Sequence, residues 1–184
     1  MSRTLVVIDL GDVLVRTAAD AQYTALAELT GVPSRCWAAA ADDSGLVAAL
    51  EEGRIGFPVF AADLFTAAGV APLPIHDVEE AWNKVVDGLD DQVTGAAAPL
   101  AHQGRLLAAT GIDAPACLSY EIGHRKPADA FFRALADADA RVGQGAVFID
   151  DRTEHIAAAR RHGMTTHHHR DPEATAAYLR SLAS

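Results

Sequence analysis

The segment LVVIDLGDVLV at residues 5–15 decides the fold class of this 184-residue chain. Its apolar residues show no polar alternation, a pattern typical of a parallel strand that is buried on both faces. The run is interrupted by Asp9, and a glycine follows two residues later. A carboxylate at the end of a buried strand is costly unless something neutralises it, and ligands bind at this edge of open α/β sheets. Asp9 is therefore a candidate site residue.

A second apolar run, AVFI at residues 146–149, ends in the same way on Asp150 and Asp151. If both strands end at the same edge of one sheet, three acidic groups come together there. Like charges at short range repel one another unless a proton or a cation lies between them. Because all the donors are oxygens, the set favours Mg²⁺ over zinc.

A lysine lies between these two segments in the stretch LSYEIGHRKP at residues 118–127. Lys126 precedes Pro127, which suits the first turn of a helix predicted over 128–137. Helix starts favour acids over bases, so a lysine in this position calls for a reason. A lysine directed at a carboxylate cluster can neutralise the cluster and hold a phosphate. Arg125, in the same loop, is expected to border the substrate.

The order of predicted elements indicates an α/β protein with a helical insert. Strands that alternate with helices after the insert favour a doubly wound parallel sheet. We therefore predict an α/β core formed by residues 1–16 and 93–184, and a helical domain formed by residues 17–92. The predicted helices are 18–30, 33–41, 44–52, 58–68, 78–89, 128–137, 154–162 and 172–182, and the predicted later strands lie near 116–119, 146–149 and 165–168.

Taken in this order, the three segments resemble the haloacid dehalogenase (HAD) superfamily of phosphohydrolases over most of the chain. The resemblance rests on the motifs I-D-L-G-x-V-L, S-x-E-x-G-x-R-K-P and F-I-D-D-R-x-E-x-I-x-A-A-R-x-x-G-M. Residues 50–60 also resemble the helical cap of the subfamily with an insert after the first motif. The resemblance implies a Rossmann-like sheet with a helical cap.

The resemblance also implies a role for each motif residue. Asp9 would be the nucleophile that takes the phosphoryl group, and Lys126 would steady both Asp9 and the phosphate. Asp150, together with Asp151, would hold Mg²⁺, and the backbone carbonyl of Gly11 would be a further metal ligand. The implied activity is a Mg²⁺-dependent phosphatase acting on a small phosphorylated metabolite.

One departure from the family pattern concerns the group that handles protons. A typical phosphatase of this family has a second aspartate two residues after the nucleophile, where this chain has Gly11. That aspartate protonates the leaving group and activates water, a role worth on the order of 10²–10⁴-fold in rate. Asp12 is adjacent, but one step along the chain directs its side chain elsewhere.

A second departure concerns the βα unit that the family has after the cap, whose strand ends in a phosphate-gripping serine or threonine. Residues 92–104 contain no β-branched run, and residues 105–112 read as the following helix. The chain thus reads as lacking most of a βα unit, roughly 25–30 residues. The available hydroxyls, Thr94 and Ser119, do not lie at the motif position. Self-association to cover the resulting gap is a hypothesis, which a monomeric mass by light scattering would contradict.

Two other functions remain open at this stage. A haloacid dehalogenase would use Asp9 to attack carbon without a metal, although its first motif usually has an aromatic residue in place of Gly11. A catalytically degenerate or repurposed member would bind a ligand or a partner protein. The loss of both the acid/base aspartate and the phosphate grip makes this last alternative a serious one beside the phosphatase.

Composition excludes some functions and leaves the enzyme classes open. A formal net charge of −10 argues against a nucleic-acid or anionic-membrane surface. No apolar run reaches membrane-spanning length and none reads as a signal peptide, so we expect a cytoplasmic protein.

Cys36 and Cys117 lack metal-type spacing and are not expected to form a disulfide. The three consecutive histidines at 167–169 alternate faces on a strand and cannot all converge on one metal.

Overall fold

The computed structural model describes residues 4–108 and 118–183, and within it the chain forms two compact units. The α/β unit consists of residues 1–16 and 88–184, and the helical unit consists of residues 17–87. The predicted end of the helical domain, at residue 92, lies five residues later. None of the described helices is long and apolar enough to cross a membrane.

The described residues form six strands in two sheets. A four-stranded sheet has the order β4-β1-β5-β6, and each neighbouring pair in it is parallel. A two-stranded sheet pairs β2 with β3. The parallel sheet predicted from the apolar runs is therefore confirmed. The strands are β1 (Val6–Ile8), β2 (Val15–Thr17), β3 (Val86–Leu89), β4 (Leu106–Ala108), β5 (Val147–Asp150) and β6 (Thr165–His168).

Ten α-helices complete the described structure. Five belong to the helical unit and five to the α/β unit. They are α1 (Ala21–Thr30), α2 (Ser34–Asp43), α3 (Leu46–Glu51), α4 (Phe57–Ala68), α5 (Ile75–Trp82), α6 (Asp91–His102), α7 (Ser119–Ile122), α8 (Asp129–Ala138), α9 (Thr153–Arg161) and α10 (Pro172–Ala183).

The parallel sheet is covered on both faces, because successive side chains of a strand point to opposite sides. Val6 and Ile8 of β1 pack in a core with residues of α6 and α10. Leu5 and Val7 pack on the opposite face with residues of α8 and α9. Two-sided burial accounts for the unbroken apolar runs of β1 and β5, as expected for central parallel strands.

The helical unit has an aromatic core of its own. Trp37 and Phe60 are fully buried, and Trp37 packs on Phe65 with a ring-centroid distance of 4.8 Å. Phe60 also makes an edge contact with Trp82 at 4.6 Å. Offset and edge-to-face contacts of this kind add to the stability gained by burying apolar area. Both tryptophans therefore lie in or against this core.

The chain passes between the units in two neighbouring segments. The backbone N–H of Asp90 donates to the carbonyl of Leu14 (2.9 Å), and that of Ala18 donates to the carbonyl of Val85 (2.8 Å). Gly88 has a φ of +99°, which L side chains rarely adopt, and a Cβ there would lie 3.3 Å from an Arg16 nitrogen. The two ends of the helical unit are therefore held side by side.

The prediction of a helix at 105–112 is wrong for the part that the structure describes. Leu106–Ala108 form β4, which pairs in parallel with β1, and residues 109–112 lie outside the described residues. Leucine and alanine are good helix formers, so local propensity favours the helix and pairing with β1 overrides it. The position beside β1 is thus occupied, and the argument for self-association from a gap does not hold.

Three further predictions need correction. Residues 86–89 form β3 and do not continue a helix from 78. The sequence predicts no element over residues 92–104, yet they lie largely in α6, whose N-cap Asp90 accepts from the N–H groups of residues 92 and 93. Pro99 inside α6 disfavours a helical interpretation of the sequence. Ser119 begins α7 and does not end a strand; residues 116 and 117 lie outside the described residues.

Candidate active site

Two adjacent central strands bring Asp9 and Asp150 to the same edge of the sheet. Asp9 directly follows β1, and Asp150 is the last residue of β5. The backbone N–H of Asp9 donates to the carbonyl of Ile149 at 2.8 Å, which fixes the register at this edge. Carboxyl ends of parallel strands are the usual ligand-binding edge of such sheets.

Lys126 lies between these two carboxylates. Its Nζ is 2.6 Å from Oδ1 of Asp9 and 2.6 Å from Oδ2 of Asp150. It also lies 5.7 Å from the ring centroid of Phe148. The Asp150 side chain is fully buried, whereas that of Asp9 is 21% exposed. Of the two carboxylates, Asp9 is therefore the more exposed to solvent.

Asp150 is held by three different donors. Besides Lys126, the N–H of Arg152 donates to Oδ1 at 2.9 Å, and Nδ1 of His155 lies 2.9 and 3.1 Å from the two oxygens. Burial alone would raise the pKa of Asp150. The hydrogen bond with His155 and the charge of Lys126 outweigh burial and hold that pKa below its usual range. The charged form of Asp150 is thus favoured, and its carboxylate is held in place by three contacts.

Asp151, the next residue, is half-buried and has a different environment. Burial, and then the neighbouring charge of Asp150, raise the pKa of the Asp151 carboxyl, and Asp9 and Asp12 add smaller contributions. Nε2 of His168 donates a hydrogen bond to the backbone carbonyl of Asp151 at 2.7 Å. The end of β6 therefore supports the loop that carries the two acids.

The remaining predicted site residues lie at the margins of this cluster. Gly11 lies two residues after Asp9 and forms an isolated β-bridge with Val15. Asp12 has a φ of +55°, and its side chain is exposed. The side chain of Arg125 is also exposed. The structure thus brings together Asp9, Lys126 and Asp150, places Asp151 beside them, and leaves the Arg125 side chain facing solvent.

The hydroxyls considered for the phosphate grip have other places in the fold. Thr94 lies on α6, where its Oγ1 donates to the carbonyl of Asp90 at 2.7 Å. Ser119 is the first residue of α7. Neither directly follows a strand that the structure describes in the parallel sheet, so neither is placed there as the family motif requires.

The histidines at 167–169 follow the alternation that the sequence predicted. Nε2 of His167 and Nδ1 of His169 lie 3.0 and 2.8 Å from the buried hydroxyl of Thr175, and His168 points to the opposite side, toward Asp151. They are half-buried packing residues.

Sequence reasoning missed His155. Its side chain is only 6% exposed, and it is the third residue of α9, on the face that also buries Ile156 and Ala159. The available signal was a polar residue at a core-facing position of a helix that begins directly after Asp150. That signal is overlooked when the motif is interpreted only through its first two acids, Asp150 and Asp151.

The donor set of the cluster fits a divalent cation. Three described residues each offer one ligand atom, and these atoms all lie within 4.8 Å of one another; the residues are Asp9, Asp150 and His155. The two carboxylates offer the hard oxygen donors that Mg²⁺ prefers, whereas Nδ1 of His155 is engaged with Asp150. The residues present therefore fit Mg²⁺ through their oxygens.

Comparison with solved structures identifies the fold. A HAD family enzyme from Bacteroides thetaiotaomicron superposes with a TM-score of 0.77 at 18% identity, covering 91% of this chain and 93% of that one. The same enzyme in complex with magnesium and inorganic phosphate gives 0.76 at 17% identity, covering 91% and 94%. A HAD-like family hydrolase from Porphyromonas gingivalis gives 0.76 at 21% identity, covering 90% of each chain.

No protein-family model and no curated protein sequence matches the chain. At these low identities the structural likeness establishes the fold. The chain has the haloacid dehalogenase fold, and the resemblance predicted from its three motifs is confirmed at that level.

Proposed function

We propose that this chain is a Mg²⁺-dependent phosphohydrolase that acts on a small phosphorylated metabolite through a covalent intermediate on Asp9. One observation carries the proposal: Lys126 is 2.6 Å from both Asp9 and Asp150, at the ends of adjacent central strands. The structurally similar Bacteroides enzyme, which was crystallised with magnesium and inorganic phosphate, supports a phosphate-containing ligand.

Asp9 is the nucleophile in this proposal. Lys126 holds its Oδ1, and Oδ2 attacks phosphorus while the ester P–O bond breaks. The ammonium group of Lys126 counters the negative charge that is shared by the phosphoryl oxygens and the carboxylates. Water then hydrolyses the acyl phosphate, which releases inorganic phosphate and regenerates the Asp9 carboxylate.

Asp9 and Asp150 would hold the Mg²⁺ ion, with Asp151 and the carbonyl of Gly11 as further oxygen donors. When bound, the ion would supply positive charge that allows an anionic phosphate ester to approach two carboxylates. The contacts of Asp150 with Lys126, His155 and the N–H of Arg152 keep its carboxylate ionised and fixed. Such a carboxylate provides a pre-organised ligand.

The glycine at position 11 determines which phosphate esters we expect the protein to hydrolyse fastest. No carboxylate is present at this position to protonate the leaving group, and Asp12 next to it is exposed in a left-handed conformation. Esters whose leaving group is a weak base need no such proton. We therefore propose that aryl phosphates are hydrolysed faster than alkyl phosphates of similar size.

The test is phosphate release from p-nitrophenyl phosphate and a panel of sugar phosphates, with Mg²⁺ and with EDTA. Asp9→Asn should reduce turnover by about 10⁴-fold or more, because nucleophile and electrostatic assistance are lost together. Asp137→Asn, an exposed aspartate on α8, is the matched control and should behave as wild type.

Three results would contradict the proposal. Turnover that survives both EDTA and Asp9→Asn would show that another site does the chemistry. No turnover of any ester by the folded wild-type protein with Mg²⁺ would favour a degenerate binding protein. Metal-independent release of halide from a haloacid, lost in Asp9→Asn, would instead assign a dehalogenase.

A further inference from the structure

We infer that His155 is a positioning residue that fixes the Asp150 carboxylate for cation binding. The inference rests on the proposed Mg²⁺ site and deepens it. It adds a residue outside the set of strand-end acids and the lysine. His155 acts through Asp150 and makes no contact with the phosphate ester.

The contact geometry supports this assignment. Nδ1 of His155 lies 2.9 Å from Oδ1 of Asp150 and 3.1 Å from Oδ2, so it contacts both oxygens of one carboxylate. Both contacts of Nδ1 are to carboxylate oxygens, which accept hydrogen bonds, so Nδ1–H is the donor. Lys126 and the N–H of Arg152 contact the same group from other directions. Together the three donors fix the rotation of the carboxylate about its last bond.

The other ring nitrogen provides the independent observation. Nε2 of His155 is buried, and no described residue hydrogen-bonds to it. A buried polar atom without a partner is costly, and an apolar side chain would fill that part of the core without the cost. Packing alone therefore does not account for a histidine here, whereas its Nδ1 contact with Asp150 does.

The position of His155 along the chain makes the contact rigid. Asp150 ends β5 and His155 lies in the first turn of α9, so only four residues separate the donor from its acceptor. Both elements are packed in the core on the same side of the sheet, since Phe148, Ile156 and Ala159 belong to one cluster. Side chains that orient metal ligands in this way typically contribute 10–100-fold in metal affinity.

The test is Mg²⁺ binding to the full chain by isothermal titration calorimetry, without substrate. His155→Leu retains bulk but removes the donor, and should weaken Mg²⁺ binding by about 10- to 100-fold. His155→Asn places an amide N–H close to where Nδ1 lies, and should restore binding to within a few-fold of wild type. His102→Leu, an exposed histidine on α6, is the matched control. Denaturant unfolding of every variant checks that each is folded.

The outcomes separate this inference from the proposed function. Wild-type affinity in a folded His155→Leu, or a loss in His155→Asn as large as in His155→Leu, would overturn the positioning role. Absence of Mg²⁺ binding by the wild type would overturn it as well. Mg²⁺ binding with the expected order of variants, but without ester hydrolysis, would support the positioning role and contradict only the proposed phosphatase.

Discussion

The two units of the chain bury different kinds of side chain. In the described residues, the buried charged and polar side chains all belong to the α/β unit: Arg105, Asp150, His155 and Thr175. The buried side chains of the helical unit are aliphatic or aromatic, with Trp37 and Phe60 at the centre. Burying charge seldom improves stability, so a unit that does so needs those groups for another purpose. The difference therefore supports the proposed assignment of the chemistry to the α/β unit.

The strongest test of this difference is Lys126→Met. Removing the ammonium leaves Asp9 and Asp150 facing each other without the charge that joins them, and phosphate release should fall by at least about 10²–10³-fold. Initial rates are compared at equal concentrations of folded protein.

The matched control is Lys84→Met. Lys84 is the other lysine of the chain, and its side chain is 57% exposed beside Glu80. An equal effect of the two substitutions would mean that net charge, and not the contact with the two aspartates, determines activity.

A second test removes an aromatic ring from the helical unit. Phe60→Ala should reduce the free energy of unfolding by about 3–5 kcal/mol, because a fully buried ring leaves a cavity beside Phe57 and Trp82. Urea denaturation followed by far-UV circular dichroism gives this quantity. Val59→Ala changes the neighbouring residue of α4, which is 50% exposed, and should cost much less. Equal costs would show that α4 does not pack as described.

The smallest expected effect is the pH dependence of the half-buried His167. Burial lowers its pKa below the ordinary value near 6.5, and the nearby His169 and His168 lower it further. Its neutral form is therefore favoured in the folded state. The associated stability is fully present above the unfolded pKa, and it is lost as the pH falls through the folded pKa.

Urea midpoints measured between pH 7.5 and 5 test this effect. The decline on acidification should be smaller in His167→Gln, which cannot titrate, than in wild type. The control His76→Gln changes a histidine whose side chain is 76% exposed, and should follow wild type. An unchanged decline in His167→Gln would assign the acid sensitivity to other groups.

The parts of the fold that the sequence predicted are those where local and tertiary preferences agree. β1 and β5 are β-branched or aromatic runs buried on both faces, and each is followed by an acid that marks the site edge. Lys126 was recognised because a base at a helix start is unfavourable by itself. In these places a single segment carries enough information to predict its local structure and its position at the sheet edge.

The parts that were missed depend on contacts between distant segments. β4 is a short stretch of Leu and Ala whose strand state comes from pairing with β1, about a hundred residues earlier. His155 reads as an ordinary helical residue until α9 is placed against the end of β5. The contacts of His167 and His169 with Thr175 likewise require β6 and α10 to be docked.

The side-by-side ends of the helical unit have an evolutionary consequence. The chain leaves the α/β unit at Arg16 and re-enters it at Gly88, and these two residues lie next to each other although the whole helical unit separates them in sequence. An insertion with adjoining ends leaves the order and pairing of the host strands unchanged. Residues 17–87 can thus vary in length and sequence, or be exchanged as a block, while Asp9, Lys126 and Asp150 keep their geometry. Selection can therefore act on one unit without disturbing the other.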